Sequence, residues 1–67
     1  MTVYNYKQEK ENQDVDIISM EKKIKTAITM RKFNLYPARP EFYVAVDKTL
    51  EEQQKEILDK IVLPYLV

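Results

Sequence analysis

Residues Leu35 to Val46 read LYPARPEFYVAV, and the fold turns on where this stretch becomes regular. Pro37 and Pro40 each fix their own φ and push the preceding residue toward extended geometry. Leu35–Glu41 therefore reads as a Pro-containing loop that no helix crosses comfortably. Glu41–Val46 (EFYVAV) is the best strand in the chain. Phe42, Val44 and Val46 share one face, and Tyr43 and Ala45 share the other. Both faces are apolar, which predicts partial burial on both sides.

On the C-terminal side, Asp47 begins a turn and Thr49 to about Leu63 reads as a helix. Thr49-Leu50-Glu51-Glu52 matches a capping box. Leu50, Gln54, Ile57, Leu58, Ile61 and Val62 fall on one helical stripe. Pro64 is expected to close the helix, leaving residues 64–67 as an apolar tail.

On the N-terminal side, Asp16 to about Phe33 reads as another amphipathic helix. Ile17, Met20, Ile24, Ala27 and Ile28 fall within an arc of about 100°. Asp16 or Ser19 is placed to cap its start, and Asn34 to take the left-handed position at its end. Residues 8–14 (QEKENQD) contain no apolar side chain and read as a polar connector. Thr2–Lys7 alternates Thr2, Tyr4 and Tyr6 with Val3 and Asn5, the pattern of a short strand.

The expected fold is thus α+β, one small strand-helix-strand-helix domain over residues 1–67. Two amphipathic helices pack on a minimal sheet. A two-stranded sheet is barely stable alone, so dimerisation or a partner is expected to complete it. A parallel pairing of the strands would make the first helix a crossover.

Composition narrows the function. The chain has 67 residues, with no Gly, Cys or His. Disulfides are impossible, and zinc lacks its usual ligands. The commonest triads need Cys or His, and phosphate-cradling loops need glycine. No catalytic, cofactor or metal site is therefore expected, and no small-molecule substrate. No basic leader followed by an apolar run opens the chain, and no segment of about twenty apolar residues occurs. Membrane association is not expected, and the cytoplasm is the default location.

Surfaces point to binding. Eleven basic and eleven acidic residues give zero formal charge, but the charge is unevenly spread. Lys22, Lys23, Lys25, Arg31, Lys32 and Arg39 lie in a stretch, 22–40, that has no acid. Lys22, Lys25, Thr29 and Lys32 form a helical stripe. One reading is a nucleic-acid regulator using Lys22, Lys25, Arg31, Lys32 and Arg39, with Phe33 and Tyr36 stacking on bases. The pI near 6.2 is low for such a role. Tyrosine is enriched at interface cores, although ordinary packing accounts for two or three of the five here. Gln54 interrupts an apolar seam, where a polar residue sets register or oligomeric state. The leading expectation is a non-enzymatic protein-interaction module, a regulator, inhibitor or accessory subunit, contacting a protein partner or a second copy. Its candidate interface residues are Phe33, Tyr36, Phe42, Tyr43, Gln54, Tyr65, Leu66 and Val67. The edge of the EFYVAV strand is one expected contact element.

Overall fold

The computed structural model describes residues 1–28 and 32–67. Strand β1 (Thr2–Lys7) leads through a single 3-10 turn (Asn12–Asp14) to helix α1 (Ile17–Ala27). Strands β2 (Phe33–Ala38) and β3 (Glu41–Val46) follow, and helix α2 (Glu52–Leu66) ends the fold. The sheet has three strands in the order β1-β3-β2, both pairings antiparallel.

β3 takes the centre because it alone is apolar on both faces. Phe42 and Val44 are 0% exposed, and Ala45 on the opposite face is also buried. β1 pairs along one side, from Thr2 opposite Val46 to Lys7 opposite Glu41. β2 pairs along the other, from Phe33 opposite Val46 to Ala38 opposite Glu41. Both edges of EFYVAV are therefore occupied, and the strand offers no free edge to a partner. β1 and β3 run antiparallel, so α1 is not a crossover between paired parallel strands.

The expected loop at 35–41 is instead most of β2 and its turn. Phe33, Leu35 and Pro37 are half-buried, while Asn34, Tyr36 and Ala38 are exposed, a period of two. Pro37 fits because β2 is an edge strand, where a missing N–H is tolerated. Arg39 and Pro40, joined by a cis peptide, make the two-residue turn to β3.

Helix α1 stops well short of Phe33. Ile28 is already extended, although its N–H still donates to the Ile24 carbonyl at 2.8 Å. The β-branched Thr26 and Ile28 are weaker helix formers than the Lys25 and Ala27 beside them. The Thr26 hydroxyl turns back to the Lys22 carbonyl at 2.9 Å, a bond that competes with straight helix. Asn34 lies on β2 and does not cap α1. The start is as expected: Asp16 Oδ1 accepts the Ser19 N–H at 3.0 Å.

Helix α2 differs at both ends. Glu51, not Thr49, is its N-cap, and the Glu51 N–H donates to Gln54 Oε1 at 3.3 Å. Thr49 instead meets Thr2 through their hydroxyls at 2.7 Å. Pro64 lies inside the last turn, and α2 continues to Leu66. Pro64 forfeits one intrahelical bond. The end is held from outside, since the Leu66 carbonyl accepts from Glu9 N and Lys10 N at 2.8 and 3.1 Å. Leu66 itself is a core residue, so no apolar tail hangs free; only Val67 follows the helix.

The core is one cluster between the helices and one face of the sheet. Met20, Ile24 and Ile28 come from α1 and its end, and Leu58, Val62 and Leu66 from α2. They meet Tyr6, Phe42, Val44 and Val46. The accessible surface is 4699 Å², close to the roughly 4,450 Å² that size scaling gives a monomer of this mass. The sheet thus has a third strand within the chain, where the sequence reading predicts two. No helix among the described residues is long and apolar enough to cross a membrane.

Candidate interaction surfaces

Because helices cover one face only, the other face of the sheet is open. Its central row is Asn5, Tyr43 and Tyr36, directly opposite one another on β1, β3 and β2. Above it lie Val3, Ala45 and Asn34; below it lie Lys7, Glu41 and Ala38. Tyr36 and Val3 are each 51% exposed, and Tyr43 is half-buried. Cross-strand neighbours sit about 5 Å apart at Cβ, so the two tyrosines form one aromatic patch. The Tyr43 hydroxyl donates to the Glu41 carboxylate, which fixes the ring along its own strand.

The remaining tyrosines serve the fold. Tyr6 donates to Asp59 Oδ1 at 2.6 Å, and Lys55 Nζ donates to the same oxygen at 2.6 Å. The Lys55 ammonium also lies 5.2 Å from the ring centres of both Tyr4 and Tyr6. The Tyr4 hydroxyl accepts the Leu50 N–H at 2.9 Å, at the entry to α2. Burial, then the hydrogen bond to Asp59 and its charge, push the Tyr6 phenol far above its ordinary value. Burial alone would raise the Asp59 carboxyl, but the hydrogen bonds from Lys55 and Tyr6 outweigh it and hold it low. Tyr65 meets Ser19 through their hydroxyls at 2.9 Å, with Lys23 Nζ 5.0 Å from its ring centre. Lys23 first, then Ser19, hold the Tyr65 phenol below its ordinary value.

The predicted interface residues are therefore not brought together. Tyr36 and Tyr43 share the open face. Phe42 and Leu66 are fully buried in the core and present nothing to a partner. Phe33 is half-buried on the helix side, opposite Val46. Gln54 uses its side chain at the start of α2, which accounts for a polar residue at that position without an oligomeric seam. Tyr65 bridges the two helices, and Val67 is exposed at the end of the chain.

The basic candidates are also divided. Arg31 lies outside the described residues. Lys25 pairs with Glu21 at 3.0 Å on α1. Lys22 is exposed on α1 and Lys32 just before β2. Arg39 sits beyond the far end of β2, roughly 23 Å of extended chain from Lys32, paired with Glu11. Phe33 and Tyr36 point to opposite faces of the sheet and cannot stack together on one strand of nucleic acid.

Two depressions escaped the sequence reading. One is polar, about 740 Å³, beside the connector, with Gln8, Glu11, Asn12 and Arg39 in its lining. Gln8 anchors that connector: its N–H donates to the Pro40 carbonyl at 2.9 Å, and Nε2 reaches Lys10 O and Asn12 Oδ1 at 2.9 and 2.5 Å. Among the described residues, Gln8 Oε1 is buried and has no hydrogen-bond partner. The other is an apolar groove between the helices, lined by Lys22, Lys23, Thr26, Ala27 and Ile61. Among the described residues no cluster of His, Cys, Asp or Glu is placed to hold a metal. No family model, curated protein or solved structure matches the chain.

Proposed function

We propose that this protein is a non-enzymatic interaction module, a cytoplasmic regulator or accessory subunit that binds a partner protein through the open face of its sheet. The carrying observation is the Tyr36–Tyr43 pair, side by side on the sheet face that neither helix covers. Tyrosine is a frequent hot-spot residue, presenting a rigid apolar body with a polar tip. The core is closed without the face, so substitutions there separate binding from folding.

Dimensions limit the strength of the contact. Three strands of six residues measure roughly 17 Å by 14 Å. That is well under the roughly 800 Å² per partner of a standard interface. The complex is therefore transient, or it extends over the rim to side chains such as Lys7 and Arg39.

The test is affinity purification from the native source with the unaltered chain and with Tyr36→Ala/Tyr43→Ala, with co-purifying molecules identified. A protein captured by the first and lost, by about tenfold or more, from the second supports the reading. Capture of nucleic acid alone, or of the same protein equally by both, overturns it. Light scattering shows whether the partner is a second copy.

A further inference from the structure

On the layer opposite the open sheet face, α1 and α2 leave a groove of about 370 Å³ between them. Its floor is Ala27 and Ile61, and its rim on α1 is Lys22, Lys23 and Thr26. Tyr65, one helical turn after Ile61, is held by Ser19 and lies under Lys23. In the other direction the apolar strip continues to Ile57, one helical turn before Ile61 and 39% exposed.

The charged side chains that line this groove are both cationic. Lys22 and Lys23 stand on α1, and Lys60 is exposed on α2, next in sequence to Ile61. None of the three pairs with a carboxylate among the described residues. The lysine of α1 that does pair, Lys25 with Glu21 at 3.0 Å, lies outside the groove lining. Apolar floor and unpaired cationic rim together specify an occupant with an apolar stripe and acidic flanks.

The backbone restricts the occupant further. A groove between two helices offers no free N–H or C=O edge, so a bound segment must satisfy its own backbone. A helix does so, and helix-in-groove docking places apolar anchors at i, i+3 or i+4, and i+7. We propose that the α1/α2 groove receives an amphipathic helix of a partner protein, with Asp and Glu flanking its apolar stripe. This site is independent of the sheet face, and the two together let the chain bridge two partners.

Two other occupants fit less well. Nucleic acid would find no uncovered aromatic ring here, because Tyr65 is taken by Ser19 and Lys23. A second copy offers the acids Glu52 and Glu56 with exposed Leu63 on its own α2. Those residues lie about 160° around the helix from Ile61. Such a contact would be head-to-tail and would grow into an open chain rather than close as a dimer.

The experiment is a two-dimensional NMR titration of the whole protein with designed helical peptides of about eighteen residues. One carries Leu anchors flanked by Glu, and its control carries the same anchors flanked by Lys. The expected result is that the Glu peptide shifts Lys22, Thr26, Ala27, Ile57 and Ile61, weakening as salt rises from about 50 to about 500 mM. Lys22→Glu/Lys60→Glu should weaken it by about tenfold or more and improve the Lys peptide. Ala27→Gln, at an exposed position, should block both with the melting temperature unchanged. The proposal is overturned if neither peptide shifts these residues, if both bind equally, or if the shifts fall on Tyr36 and Tyr43. It is equally overturned if a single-stranded oligonucleotide shifts the groove as strongly, or if light scattering shows concentration-dependent growth that Ala27→Gln abolishes.

Discussion

On the inner face of the sheet, Phe42, Val44 and Val46 are closed over by two helices and lose all but a trace of their exposure. On the outer face of the same strand, Tyr43 and Ala45 are flanked by their cross-strand neighbours and covered by neither helix. One six-residue strand therefore does two jobs, separated by the alternation of its side chains. The inner residues answer to packing, where every removed methylene leaves a cavity. The outer residues answer to solvent or to a partner. Substitutions on the two faces should diverge sharply in what they change.

The sharpest way to break this contrast is Phe42→Ala. A fully buried aromatic truncated to Ala loses its transfer energy and leaves a cavity, costing about 3–5 kcal/mol. A domain this small has a total stability of only about 5 kcal/mol. The variant should be largely unfolded by circular dichroism at 37 °C. A cooperative melt within a few degrees of the parent would show that the inner face is not the core. Tyr36→Ala, on the outer face, should move stability by no more than about 0.5 kcal/mol while removing partner binding.

Much of this division was legible beforehand. The period-two reading of Thr2–Lys7 and Glu41–Val46, and the helical period through Ile17, Met20 and Ile24, need only local information. What was not legible was β2. Pro37 carries the loop signal of any proline, and only the position of β2 at the sheet edge makes it acceptable in a strand. Missing β2 misplaced the edges of β3 and lengthened α1, which borrowed Phe33 from the sheet. Pro64 misled for a related reason. The carbonyl bonds from Glu9 and Lys10 that hold the last turn of α2 come from distant residues. The candidate site was half legible. The tyrosines marked candidate interface positions, but which of the five face outward depends on strand register, and the α1/α2 groove depends on helix packing that no local pattern reports.

A smaller effect tests the seam between β1 and α2, on the inner side. Tyr6→Phe keeps the buried ring and removes only its hydrogen bond to Asp59, costing about 1.5–3 kcal/mol because the acceptor is charged. The same group gives the seam an alkaline limit. The folded Tyr6 holds its proton well above the ordinary value of 10.0. Above about pH 10 the unfolded chain binds fewer protons than the folded one, so stability falls as pH rises. Asp59 sets the acid limit with the opposite sign. Its carboxyl is held below the ordinary 3.8, so its contribution is present above that value and is lost as pH falls through the lower folded one. Chemical denaturation across pH should show both flanks, and Tyr6→Phe should remove the alkaline decline. An alkaline decline that persists unchanged in Tyr6→Phe would place its origin elsewhere.

The smallest expected effect is at the β2–β3 turn. Arg39 pairs with Glu11 across the polar depression, with both side chains about half exposed. Exposed ion pairs contribute about 0–1 kcal/mol and fade with salt. Arg39→Ala should therefore lower the melting temperature by no more than a few degrees at low salt, and by less in about 0.5 M salt. The connector should stay in place, because Gln8 ties it to Pro40 through the backbone independently of the ion pair. Amide exchange at Gln8 separates the two contributions. If Arg39→Ala leaves Gln8 protected, the buried amide holds this end of β1 and the ion pair only trims it. If protection is lost, the charge pair is what joins the connector to the turn, and the rim of the open face is less rigid than its centre.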